Sequence, residues 1–423
     1  MSGFFQTLDR QRGPALALLF CVSTLNFLDR YMFGILLPQI KNELHLSDTE
    51  LGFVTGTAFA LFYATMGVPI ARIADRTSRR NVLAIAVGAW SGVVALTGFV
   101  GSFWQLAVAR VFMGFGEAGA TPPSHAIIGD LFPKEARARA LAIYGLGSPV
   151  GLMLGFILGG WISQTYGWRA ALLTFGVPGA VLAVIVRLGL REPPRTAPAP
   201  DMPARALLGT VGDLLKRPAF VHNTIGGALY ALLGLGTIAW APSFFARVHH
   251  MPIAKVGLFL ALVLGTSQIC GMLTGGFLSD RLAAKDERWY MWVCALAVIF
   301  AGPFFALTFL WPTAEMSLVW MFFPFFLGQI KFGPQSAVTQ GIAGPERRAV
   351  AAAVFFLVNG LAGGFGAQLI GILSDALKAD YGDRAIGVAI TGIAVVTSIW
   401  AAGHFMLAAR TVRADFEASA SPP

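Results

Sequence analysis

The chain has 423 residues, of which 56% are hydrophobic and only 13% charged, with a mean hydropathy of +0.68. A soluble domain carries about 25% charged residues, so the composition excludes a soluble globular protein and defines an integral membrane protein. The net charge of +9 does not argue for a nucleic-acid partner, because the basic residues fall in short segments between apolar runs, where they report topology.

A membrane-crossing helix needs about 20 mostly apolar residues. Twelve such stretches follow one another at about 14–39, 49–71, 81–101, 104–131, 140–162, 169–189, 219–246, 256–279, 290–311, 316–343, 349–374 and 385–409. The polar opening MSGFFQTLDRQRGP has no small-residue cleavage site after it, so the first span is expected to stay as an anchor. "LSDTE" at 46–50 offers Ser47 or Asp48 as the cap of the second span. Cys21, Cys270 and Cys294 all lie in apolar runs, which predicts neither a disulfide framework nor a metal site, and no cofactor motif is present. With both termini placed in the cytoplasm, roughly 22 of the 31 basic residues fall on that side and about six on the other. The positive-inside rule therefore predicts cytoplasmic termini in a bacterial inner membrane.

The proline-rich segment 191–218 divides six spans from six. The expected organisation is an N-terminal bundle (1–190), a cytoplasmic linker (191–218) and a C-terminal bundle (219–423). The halves echo each other. "ELGF" at Glu50 leads to "ARIADRTSRR" at 71–80, and "KVGLF" at Lys255 leads to "GGFLSDRLAAK" at 275–285. "PKEARARALAIY" at 133–144 is matched by "PERRAVAAAVFF" at 345–356. Two related six-helix halves are the organisation of a secondary transporter.

The paired Asp-Arg loops resemble the signature of the major facilitator superfamily, a glycine followed four residues later by Asp-Arg. Gly276, Asp280 and Arg281 keep it, whereas Ala71 and Ser78 replace glycines in the first copy. "NFLDRYMFGILLPQIKNELHLSDTELGFVTGTAFALFYA" and "ARVFMGFGEAGATPPSHAIIGDLFP" resemble the spinster branch of that superfamily. The resemblance implies an all-α fold of twelve spans in two pseudo-symmetric bundles, working as a monomer by alternating access. It further implies proton-coupled movement of a lysolipid or sphingolipid phosphate, with Asp29, Arg30 and Glu117 as the coupling group. Asp75 and Asp280, with Arg76, Arg79, Arg80 and Arg281 nearby, would close a cytoplasmic gate.

The residues themselves support a charge-exchange site. Asp29 lies about 22 Å along a helix from Pro14, and Asn26 shares its face. Arg110 and Glu117 are about 10 and 21 Å into the fourth span, on one face. Antiparallel packing is expected to set Arg110 level with Asp29 and Arg30. Ionisable groups at such depth are costly and functional by default. An anion drawing Arg30 or Arg110 away would free Asp29 or Glu117 to take a proton. In the second half Lys331 is the lone central charge, with Gln329, Gln335 and Asn359 as polar company and a phosphate or carboxylate as fitting ligand.

Helix 5 carries Gly147, Gly151, Gly155 and Gly159, a stripe that admits close helix approach. "HAIIGD" (His125, Asp130) has the His-x4-Asp spacing of glycerolipid acyltransferases, but it falls at the cytoplasmic end of a span, and the expectation is not an enzyme. The leading reading is a proton-coupled transporter of an amphipathic or organic anion. An uptake symporter for a small carboxylate and a non-transporting sensor are the alternatives.

Overall fold

A computed structural model describes residues 2–192 and 204–420. The 193–203 portion of the linker expected at 191–218 lies outside the described residues. Among them the chain is helical and divides into two compact units, Met1–Pro200 with Pro252–Ala261, and Asp201–Met251 with Leu262–Pro423.

The first unit is built from α1 (Ser2–Leu44), α2 (Asp48–Gly52), a π-helical turn (Phe53–Thr57), α3 (Ala58–Arg76), α4 (Arg79–Thr97), α5 (Phe103–Glu117), α6 (Thr121–Leu131), α7 (Lys134–Gly145), α8 (Gly147–Tyr166) and α9 (Trp168–Gly189). Helix α1 packs on α8, α4 on α9, and α5 on α3 and α4. The glycine stripe of α8 makes the α1 contact possible. A Cβ at Gly151 would lie 2.4 Å from the Thr24 carbonyl oxygen, and one at Gly155 2.7 Å from that of Leu28. Ser47 starts α2 with a reciprocal cap: its hydroxyl accepts from the Glu50 N–H, and the Glu50 carboxylate accepts from the Ser47 N–H. Ser78 and Ser102 cap α4 and α5 through Asn81 and Gln105.

The second unit contains α10 (Ala204–Leu215), α11 (Pro218–Val248), α12 (Ile253–Ala283) from Leu262 onward, α13 (Trp289–Leu310), α14 (Ala314–Ile330), α15 (Phe332–Tyr381), a 3-10 turn (Gly382–Arg384) and α16 (Ala385–Ala420). Helix α11 packs on α15 and α16, and α13 on α16 and α14. Gly344, at φ +70°, breaks α15 into two crossings.

Ten described helical runs are long and apolar enough to cross a membrane. The run Arg347–Ser419 contains two crossings joined at Gly382–Arg384. The stretch expected as one span at 104–131 is instead two pieces, α5 and α6, each too short alone, interrupted at residues 118–120. The span expected at 316–343 is likewise interrupted at Lys331. In the register that sets Pro133 against Pro345, Glu117 falls opposite Gln329 and the break at 118–120 falls opposite 330–332. Both halves thus interrupt the same crossing next to their central charge.

Candidate functional site

In the first unit, Glu117 is the last residue of α5 and fully buried. The Arg30 Nη2 donates to its Oε2 at 2.8 Å and Arg30 Nε to the same oxygen at 3.3 Å. The Arg30 side chain keeps 25% of its surface exposed while that of Glu117 has none. Its guanidinium lies 4.7 Å from the ring centroids of both Phe59 and Tyr63 and 5.3 Å from that of Phe27. The pair is therefore a sealed carboxylate and a reachable cation held on aromatic faces. The Asn26 side chain lies beside Glu117.

Asp29 is buried on another side of α1 and, among the described residues, pairs with no arginine within hydrogen-bonding distance. The Trp90 indole N–H donates to its Oδ2 at 3.2 Å, and Oδ1 has no partner among the described residues.

Arg110 departs from the expected arrangement. It is buried, and it donates to no carboxylate among the described residues: Nε donates to the Val54 carbonyl at 2.9 Å, Nη1 to the Met113 sulfur at 2.9 Å and Nη2 to the Thr55 carbonyl at 3.4 Å. Both carbonyls belong to the π-helical turn, whose widened ladder leaves acceptors free. The guanidinium rests 4.2 Å from the Phe33 ring centroid. Glu117, not Arg110, is level with Arg30, and Arg110 lies level with Phe33, about one turn further along α1. Counting from Phe103 fixes depth along α5 but not the offset of α5 against α1, which the Arg30–Glu117 pair sets.

At the end of this unit where α3 and α4 meet, Arg79 forms ion pairs with Asp130 and, at 3.6 Å, with Asp75. Glu192 accepts from the Ser78 hydroxyl at 2.6 Å and from the Arg79 and Arg80 N–H groups at 2.8 and 3.0 Å. Asp75 thus pairs within its own loop. Asp130 is held by Arg79, and the His125 ring meets Tyr144 edge-on at 5.2 Å.

In the second unit a polar chain crosses the apolar interior. Lys331, at the break between α14 and α15, donates to Gln335 Oε1 at 3.1 Å and lies 5.0 Å from the Tyr230 ring centroid. Gln335 Nε2 donates to the carbonyl and Oδ1 of Asn223, both at 3.3 Å. Asn223 Nδ2 in turn donates to the Gln335 carbonyl at 3.2 Å and the Thr339 hydroxyl at 3.0 Å. The amide of Asn223 fixes that of Gln335, whose oxygen is thereby turned to Lys331. Asn359 bonds its own helix at the Phe355 carbonyl, and its side chain lies against Gly227. Gly276 is open around its Cα, and Asp280 and Arg281 are exposed at the end of α12. Sequence reasoning missed Trp90, Tyr63, Asn223 and Tyr230; only Asn223, a lone amide in an apolar run, carried a signal.

Six-span units of apolar helix, each interrupted beside its central charge, define a membrane transporter. A sequence profile of the Major Facilitator Superfamily matches residues 19–367. The chain belongs to that superfamily. It is 33% identical to an MFS-type efflux pump of Mycolicibacterium smegmatis over 96% of this chain and 94% of that protein. It is 29% identical to protein spinster homolog 1 of Xenopus tropicalis, over 85% and 72%. A crystal structure of a bacterial homologue of the human lysosomal transporter spinster, inward-facing and unoccupied, superposes with a TM-score of 0.86 at 28% identity, covering 98% of this chain and 99% of that one. A sphingosine-1-phosphate transporter of Danio rerio is 26% identical over 89% and 79%.

Proposed function

We propose that the protein is a proton-coupled secondary transporter of an amphipathic or organic anion, of the lysolipid or sphingolipid-phosphate kind, working by alternating access. The observation that carries the reading is the asymmetry of the Arg30–Glu117 pair, a quarter-exposed cation on a fully sealed carboxylate. An anionic headgroup competes for the exposed face of Arg30, which offers a fork suited to phosphate or carboxylate. Once Arg30 turns to the anion, a lone carboxylate inside an apolar span is strongly disfavoured, and Glu117 binds a proton. Asp29, with its unpartnered oxygen, is the second proton carrier. Lys331, oriented by Gln335 and Asn223, is a separate anion contact in the second unit. Arg110, spent on backbone carbonyls, holds the π turn rather than exchanging partners. The loops of Asp75 and Asp280 act as the inner gate. The basic residues at the ends of spans support cytoplasmic termini in an inner membrane.

The zebrafish relative's name supports the phosphate-bearing substrate class. The test is proton flux into liposomes carrying the purified protein, with a panel of lysophospholipids and small organic anions added. A ligand-triggered signal that disappears in Asp29→Asn supports the reading. Flux equal to that of empty liposomes for every ligand contradicts it.

A further inference from the structure

The second unit carries a feature that transport chemistry does not use. Helix α10 ends two residues before α11, so it lies where a spanning helix meets water. Its Leu214 is buried against the unit, but Leu208 and Leu215, seven residues apart and hence on one face, are 70% and 58% exposed. Beside it a cavity of about 350 Å³ is lined by Asp213, Lys216, Arg217, Arg347 and Asp415.

The two carboxylates there are already engaged. Asp213 takes Lys216 and Arg347, each at 3.2 Å, and Asp415 Oδ2 accepts from the Ala219 N–H at 2.8 Å, at the start of α11. The Lys216 ammonium holds the Asp213 carboxyl below its usual range, so it stays an anion at neutral pH. Arg217 Nη2 donates to the Ala418 carbonyl at 3.3 Å. Three cations against two anions leave one positive charge. The Lys216 and Arg347 side chains, 78% and 51% exposed, can also reach a further acceptor.

We propose that this cavity and the adjoining leucine stripe form a headgroup site for an anionic phospholipid. The phosphate would lie among Lys216, Arg217 and Arg347, and the acyl chains would run along Leu208 and Leu215. Charge complementarity selects an anionic headgroup, and the exposed leucines select a lipid over a soluble phosphate, which would leave them bare. The inference does not rest on the transport reading.

The test uses the full chain in phosphatidylcholine nanodiscs, with Cys21→Ser and Cys270→Ser and a fluorophore on Gly212→Cys. A Cβ at Gly212 meets nothing within 4 Å, so the label has space on α10. A minor fraction of phospholipid carries a nitroxide near the top of one acyl chain, with either a phosphatidylglycerol or a phosphatidylcholine headgroup. One unit of positive charge near an anionic lipid corresponds to about fivefold enrichment, so the glycerol headgroup is expected to quench about fivefold more strongly. Lys216→Gln with Arg347→Gln should bring the ratio near one, and Leu208→Ser with Leu215→Ser should lower it. Equal quenching by the two lipids in the unsubstituted chain, or an unchanged ratio in the Lys216→Gln/Arg347→Gln chain, would overturn the proposal. Loss of the excess on adding soluble glycerol 3-phosphate would also overturn it, by assigning the cavity to a soluble phosphate.

Discussion

Substituting the Arg30–Glu117 pair one side at a time separates a sealed charge from a reachable one. Removing one partner of a buried ion pair costs about 3–5 kcal/mol, because the other charge is left uncompensated. Arg30→Gln strands a carboxylate with no exposed surface, so it falls in that range, at about 3 kcal/mol after discounting for the quarter-exposed guanidinium that is removed. Glu117→Gln leaves a guanidinium that still has solvent access and three aromatic rings within about 5 Å, and it should cost about 1–2 kcal/mol. The double substitution removes both charges and should cost less than Arg30→Gln alone, giving a coupling energy of about 2 kcal/mol. The assay is reversible denaturant unfolding in detergent, followed by tryptophan fluorescence. Additive losses, or a larger loss for Glu117→Gln than for Arg30→Gln, would refute the reasoning.

Asp29→Asn should change stability by less than about 1 kcal/mol, since the Trp90 indole can donate to an amide oxygen as well as to a carboxylate; unfolding midpoints check it. Arg110→Gln strands the Val54 and Thr55 carbonyls and should cost about 2–4 kcal/mol, with no greater loss of anion binding than instability explains; thermal unfolding beside ligand titration decides. Gly151→Ala drives a methyl into the α1 backbone and should cost about 1–3 kcal/mol, whereas Gly92→Ala, with nothing within 4 Å, should be neutral or slightly stabilising; paired melting curves compare them. Lys331→Gln should weaken anion affinity about tenfold, by loss of one charge-assisted hydrogen bond, as read by equilibrium binding.

The fold was legible because its signals are one-dimensional. Apolar runs mark the crossings, and the echoes Pro133/Pro345 and Asp75/Asp280 mark the halves. Asp29, Arg30 and Glu117 stood out as charges inside apolar runs for the same reason. Their partners were not legible, since pairing depends on how helices register against each other. The break at 118–120, with Gly119 and the following Pro122 and Pro123, carried a helix-break signal, whereas the π turn at Phe53–Thr57 did not. So Arg110 was expected beside a carboxylate and lies on carbonyls instead, while Asp29 is joined to Trp90, a residue with no polar signal in its run. The glycine stripe of α8 was read as close packing, and its neighbour proves to be α1, the helix that carries the charges.

The central claim is that an anion at Arg30 hands Glu117 a proton. It is tested most directly by mixing the purified protein with a lysophospholipid in weakly buffered detergent solution containing a pH dye, with binding measured in parallel. The account predicts proton uptake of about one per anion bound, and continued binding without uptake in Glu117→Gln. Binding with no uptake in the unsubstituted protein, or undiminished uptake in Glu117→Gln, would contradict it.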